Sequence, residues 1–337
     1  MFQVFMYAAN ALLPIVFLIC GGVILRKIGL VNEDFLKTGN RFLFRLILPT
    51  VLFYNIYNIP DFTAINWRIV IFSTVIMAFL FVLGFFLTRF FVKDQISKGA
   101  VHQVIFRTNF IIIGIPLTEA LIGSRGTEIA SVISAFMVPF TNALGILVLS
   151  SYATDENHKK SVREIVRDVS KNPLILGAMC GFVALGIRSL IPVGPDGNHV
   201  FTIKDNLPFL YSVLQSLSSM STPFALIVTG GLLNFKNMTG TVGYIVLGSA
   251  MRVIIAPVIG LSAAVFLASR GILTCGPADY AALIALFGGP AAVSSAIIAA
   301  EMGGDGDLAR QFVVWTHILP MFTVFFTVVL FRTMGLL

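Results

Sequence analysis

The sequence predicts an all-α membrane protein of ten transmembrane helices, in two sets of five related as an inverted repeat, with the fourth and ninth helices broken. Three observations carry this expectation. Hydrophobic residues make up 57% of the 337-residue chain and charged ones only 12%, a balance that would leave a water-exposed domain with large apolar patches. Apolar stretches of about 20 residues recur, each able to cross a bilayer core of about 30 Å as a helix that satisfies its own backbone. Two pairs of prolines share one offset: Pro49 and Pro223 lie 174 residues apart, and so do Pro116 and Pro290.

The apolar stretches place spans at roughly 4–25, 36–57, 67–91, 99–122, 127–151, 172–191, 207–233, 241–269, 278–300 and 308–332. Residues 1–10 hold no Lys or Arg, whereas Arg26 and Lys27 follow the first stretch. The charge thus succeeds the apolar run, as expected of a first span and not of a signal peptide. Alternate loops beginning with the first carry thirteen Lys and Arg, against six on the opposite side (Arg68, Arg125, Arg188, Lys204, Arg270 and Arg332). The positive-inside rule then puts the first loop in the cytoplasm and both termini outside. The net charge of +7 is spread over these loops and does not form a nucleic-acid surface, so no nucleic-acid partner is expected.

A hydrophilic stretch at 154–171 separates a first repeat, 1–153, from a second, 172–337. Charges of both signs around Val162, Ile165, Val166 and Val169 fit a short amphipathic cytoplasmic helix. Because each set has an odd number of spans, the second enters the membrane inverted. Pro139 and Pro320, 181 residues apart, extend the correspondence, while Pro14 and Pro173 register poorly.

The second proline pair also matches in its surroundings: Gly114-Ile115-Pro116 recurs as Gly288-Gly289-Pro290. Proline cannot donate to the carbonyl four residues earlier and glycine tolerates unusual dihedrals. Span four is therefore expected to unwind from Ile113 to Pro116 and span nine from Gly288 to Pro290. The half-helices beginning at these prolines would aim positive N-terminal ends at a common centre, which favours an anion. Pro14, Pro139, Pro257 and Pro320 read as ordinary kinks repaired by neighbouring helices.

Polar residues near the breaks are the site candidates. Asn109 offers an amide donor and acceptor for a carboxylate or an unwound backbone, with an interhelical hydrogen bond as the alternative. Ser294 and Ser295 can donate hydroxyls or pack as small residues. Arg107 lies about eight residues into span four, roughly 12 Å deep at 1.5 Å per residue, where it can meet a substrate or snorkel. Snorkelling is the expectation for Arg252, and headgroup contact for Arg41 and Arg45. Glu119, three residues past Pro116, is the candidate proton carrier or ion ligand, with His317 a second titratable group. His102, Asp279 and Glu301 lie at span ends, and residues 303–307 read as a turn capping span ten. Cys20, Cys180 and Cys275 form no pattern and read as small buried side chains. No His-Glu-x-x-His, Gly-x-Ser-x-Gly or aspartate-rich motif supports an enzyme.

The run Arg107-Thr108-Asn109-Phe110-Ile111-Ile112-Ile113-Gly114-Ile115-Pro116-Leu117, with Leu48-Pro49, Ser221-Thr222-Pro223 and the stretch ALFGGPAAVSSAIIAAEMGGDGD at 285–307, resembles the auxin efflux carrier family. That family includes the plant PIN auxin exporters and bacterial permeases for malonate, malate and similar acids. The resemblance covers essentially the whole chain, and the short loop after span five is similar to that of the bacterial members. It implies that the two broken helices cross and that substrate binds beside the crossing, where the residues themselves offer Asn109, Ile113 to Pro116, Gly288 to Pro290, Ser294 and Ser295 as candidates. Asn109 matches an Asn of the plant carriers. The resemblance further implies a secondary active transporter of small organic anions in the bacterial inner membrane. There, spans three to five and eight to ten would move elevator-fashion against one, two, six and seven. The expected partners are a small organic acid and the bilayer, with a homodimer left open. No cofactor is expected, and coupling to H+ or Na+ stays open. The alternatives are a cation/proton exchanger, a bile-acid-transporter-like sodium symporter of similar fold, and a channel, which saturable accumulation would exclude.

The charge count yields a topology test. Single cysteines at Lys160 and Asn198 in a cysteine-free background should react differently with an impermeant reagent applied to intact cells, Asn198 labelling and Lys160 not. The reverse pattern overturns the orientation.

Overall fold

The computed structural model describes residues 2–153, 161–192, 200–233 and 241–337. Lys160, Asn198 and residues 154–160 of the expected linker lie outside the described residues. Within them the regular elements are helical, and one antiparallel β-bridge pairs Thr108 with Ala291.

Helices α1 (Phe2–Lys27), α2 (Glu33–Phe42), α3 (Leu48–Tyr57), α4 (Trp67–Phe91), α5 (Gln95–Phe106), α6 (Ile115–Ile122) and α7 (Ser124–Tyr152) form the first part of the chain. After the short α8 (Val162–Ser170) come α9 (Pro173–Leu190), α10 (Ile203–Asn206), α11 (Pro208–Leu232), α12 (Val242–Ala250) and α13 (Ala256–Ser269). The chain ends with α14 (Pro277–Gly288), α15 (Ser294–Glu301), α16 (Gly306–Ile318) and α17 (Pro320–Thr333). Among the described residues five helices are long and apolar enough to cross a membrane: α1, α4, α7, α9 and the continuous α12–α13. Helices α16 and α17 pass together as a pair bent by 40°, while 110–122 and α14 are shorter apolar helices. Large side chains such as Phe17, Phe90, Leu190 and Phe209 stand exposed on the exterior, as an apolar solvent allows. Cys20 and Cys180 are also exposed, so the expectation that they are buried is corrected.

Polar side chains terminate the helices where the sequence places them. Asn32, Asn66, Asp94, Asn172, Thr202 and Asp305 each accept from a backbone N–H of the first turn that follows, meeting donors that the helix leaves unpaired. The Ser97 hydroxyl and backbone N–H hold the Asp94 carboxyl below its usual range. Ser97 Oγ lies 2.6 Å from Asp94 Oδ2 and 2.9 Å from Asp305 Oδ2, which links the caps of α5 and α16. The expected turn at 303–307 thus does cap the helix after it.

Prolines are accommodated in two ways. Pro14, Pro139 and Pro223 lie inside continuous helices. Pro49, Pro116 and Pro257 each follow a π turn by two residues, at Leu43–Ile47, Phe110–Gly114 and Met251–Ile255. A π turn inserts one residue, which relieves the clash between the proline ring and the carbonyl four positions back.

Close helix packing rests on small residues. A Cβ on Gly22 of α1 would lie 2.0 Å from the Ile227 carbonyl oxygen, and one on Gly230 of α11 would lie 1.9 Å from that of Ile19. The two backbones touch because neither glycine has a side chain, the usual way in which helices associate in lipid. Gly21 has open space beside it. Gly22→Val should therefore cost on the order of 1–3 kcal/mol, read as a lower melting temperature in detergent, whereas Gly21→Val should change it little. Equal shifts would refute the α1–α11 contact.

Candidate functional site

Two helices of the core are interrupted, and the interruptions meet. Between α5 and the π turn at Phe110–Gly114 the chain is non-helical over 107–109, and between α14 and α15 over 289–293. Asn109 N–H donates to the Pro290 carbonyl at 2.7 Å and Ala292 N–H to the Arg107 carbonyl at 3.3 Å, the two bonds of the Thr108–Ala291 bridge. Thr108 Oγ1 donates to the same Pro290 oxygen at 3.4 Å, and Ala291 N–H donates to Thr316 Oγ1 at 3.0 Å. In an apolar medium each unpaired backbone group costs several kcal/mol, so each interruption supplies partners for the other. Gly289 permits the approach, since a Cβ there would lie 3.1 Å from Thr108 Oγ1 and 2.5 Å from the Ala285 carbonyl oxygen.

Span four breaks earlier than its proline suggests. Ile113 and Gly114 belong to the π turn, and Ile115 and Pro116 open α6 without a gap. The expected unwinding at Ile113 to Pro116 is therefore corrected to Arg107–Asn109. The cause is local: a π turn already absorbs Pro116, whereas Pro290 sits in the non-helical stretch itself. In span nine the helix ends at Gly288, as expected.

Arg107 is 2% exposed and does not snorkel. Its Nη2 donates to Asn142 Oδ1 at 2.7 Å and to Ser294 Oγ at 3.3 Å, and Nη1 donates to Gln103 Oε1 at 3.2 Å. All three acceptors are neutral, and no carboxylate among the described residues pairs with this guanidinium. It lines a cavity of about 50 Å³ with Asn109, Thr141, Asn142, Ala292 and Ser294. At roughly 10–15 Å³ per water, that space holds a few waters or one carboxylate group. No protein acceptor among the described residues meets the N–H groups of Val293 and Ser294 at the start of α15. A buried cation and a free helix N-terminus thus border one small cavity, whose remaining wall, Thr108 apart, is apolar (Phe44, Phe110, Ile111, Ile112, Val138 and Leu174).

Arg252 was missed. It is fully buried, against the expectation of snorkelling, and points inward from the π turn before Pro257. Its Nε donates to the Gly289 carbonyl at 2.8 Å and Nη2 to that of Leu286 at 2.7 Å. The available signal was Pro257 itself, since the inserted residue of a π turn re-aims its side chains.

The other candidates are distributed around this point. His317 Nδ1–H donates to the Val313 carbonyl at 2.7 Å, which leaves Nε2 as the acceptor facing Asn109 Nδ2 at 3.4 Å. Ile113, Gly289, Pro290 and His317 line a separate apolar cavity of about 40 Å³ against α1. Ile115 and Glu119 line a third, of about 590 Å³, with Tyr54, Asn55, Tyr211 and Ser221. Glu119 is exposed in it and is not drawn to the meeting point. Ser295 is buried with its hydroxyl unpartnered, Gly288 ends α14 against Val324, and only Ser294 of the serine pair reaches Arg107.

Long apolar helices around a core of interrupted, mutually bonded ones mark a multi-pass membrane protein. A family model described as membrane transport protein matches residues 7–328. The chain belongs to that family, the auxin efflux carriers. It is also similar to an uncharacterized transporter of Methanothermobacter thermautotrophicus, 22% identical over 326 residues that cover 95% of this chain and 97% of the relative.

Replacing Pro290 by Ala supplies an N–H where the carbonyl of Leu286 now relies on Arg252, and should let α14 extend into the bridge. Transport should fall far more for Pro290→Ala than for Pro139→Ala, with Pro116→Ala intermediate because its helix is already continuous. Mild, equal losses would make all three simple kinks.

Proposed function

We propose that this membrane transporter is a secondary active carrier of small organic anions, mono- or dicarboxylates such as malonate or malate, in a bacterial inner membrane. The observation that carries the reading is Arg107: a buried guanidinium costs several kcal/mol unless compensated, and here its protein partners are all neutral. A substrate carboxylate would complete it by a charge-assisted pair, with the N–H groups of α15 and the Asn109 amide as further donors. The cavity takes one carboxylate, so the remainder of the acid would enter the space that opens when neighbouring helices move.

On this reading the chain has ten spans in two inverted sets of five, with spans four and nine crossing at the Thr108–Ala291 bridge. Alternating access would come from movement of spans three to five and eight to ten against one, two, six and seven. The large cavity between α3, α11 and the α6–α7 turn lies along such a boundary and would serve as the vestibule. An exchanger needs an acid at the crossing, whereas the buried charges that meet there among the described residues are Arg107 and Arg252. Glu119, in the vestibule, is where a coupling proton or Na+ would first be met.

Purified protein should bind malonate or malate saturably in a panel of carboxylates, and their neutral amides poorly. Losing a hydrogen bond to a carboxylate costs roughly 1.5–3 kcal/mol, about ten- to a hundredfold in affinity. Asn109→Ala should show that loss and Arg107→Gln at least as large a one, with both variants still folded in detergent. An amide that competes as well as its acid, or wild-type affinity in Arg107→Gln, would refute the anion site.

A further inference from the structure

The interruption in each helix removes hydrogen bonds that a continuous helix would make, and one side chain replaces them. In a helix the carbonyl of residue i accepts from the N–H of residue i+4. The Leu286 carbonyl should accept from residue 290, which is proline and has no N–H. The Ile105 carbonyl should accept from Asn109, whose N–H is instead given to the Pro290 oxygen across the bridge. The Gly289 carbonyl, just past the end of α14, receives no backbone N–H among the described residues. Arg252 faces all three: Nη2 is 2.7 Å from the Leu286 oxygen, Nη1 is 3.5 Å from that of Ile105, and Nε is 2.8 Å from that of Gly289.

These oxygens also belong to the C-terminal ends of α5 and α14. A helix C-terminus carries the equivalent of about half a negative charge, so two such ends side by side amount to about one. Arg252 brings one positive charge to that place, and no carboxylate among the described residues shares it. The Ile105 carbonyl is two residues from Arg107. Uncompensated, the paired ends would set a negative potential beside the cavity proposed for the anion, in a medium that screens it little.

We infer that Arg252 is a positioning residue for anion binding: it pins the C-terminal ends of α5 and α14 together and cancels their charge beside the Arg107 cavity. Its effect on affinity rests on the carrier reading, whereas its hold on the helix ends does not. The π turn before Pro257 is the device that turns it inward.

The test compares Arg252→Gln, which keeps amide donors without the charge, with Arg252→Lys, which keeps both charge and donors. Backbone hydrogen exchange and malonate binding are measured on each purified full-length variant. In Arg252→Gln, exchange should rise in the segments 105–109 and 286–292, and malonate affinity should fall roughly tenfold to a hundredfold. Arg252→Lys should recover most of both. Unchanged exchange in the two segments, wild-type affinity in Arg252→Gln, or an Arg252→Lys no better than Arg252→Gln overturns the inference. If the wild type binds no malonate while exchange rises as expected, the carrier reading fails and the pinning stands. If Arg252→Gln does not fold, the same two measurements on Arg252→Lys against the wild type decide: a single ammonium cannot reach all three carbonyls, so exchange at 105–109 and 286–292 should still rise measurably above wild type, and unchanged exchange there overturns the inference.

Discussion

The structure turns on the rule that backbone polar groups need partners where there is no water to supply them. An intact helix meets this rule by itself, and an interrupted one cannot. Here the interruption after α5 and that after α14 meet each other's needs through the Thr108–Ala291 bridge, with Thr316 taking the Ala291 N–H. Neither break is stable alone, so the position of each is set by the other. Gly289 and the facing non-helical stretch exist in this geometry because two backbones must come within hydrogen-bonding distance.

Two buried arginines divide the electrostatics of this point. Arg252 faces main-chain carbonyls at helix C-termini, where a positive charge is favoured, and its donors are used. Arg107 faces neutral side chains and the N-terminus of α15, where a positive charge is not favoured without an anion. The same residue type, buried in both cases, thus has opposite surroundings. One arginine completes the fold, and the other would be completed by the anion of the proposed carrier.

Much of this was legible in the residues. Composition and apolar run length specify a helical membrane protein because the hydrophobic effect and backbone satisfaction leave few other solutions. The terminal caps were legible at Asp305, since a short carboxylate before a helix accepts from its first turn. The doubled Gly-x-Pro correctly marked two helices as special, and in span nine it marked the site of the break. It misplaced the break in span four, because a π turn absorbs Pro116 and the hydrogen bonds are lost instead at Arg107–Asn109.

By itself the sequence determined the apolar helices, their proline and glycine punctuation, and the residues from which a polar site could be drawn. Those follow from local chemistry, which acts over a few residues. The tertiary structure alone decided that Arg252 turns inward, that Arg107 has no acidic partner among the described residues, that Glu119 faces the large cavity between α3 and α11, and that the two non-helical stretches bond to each other. Each of these depends on which groups share a low-dielectric space. Thr108 and Ala291 are brought together by helix packing across 183 positions of chain, and no local pattern encodes that distance.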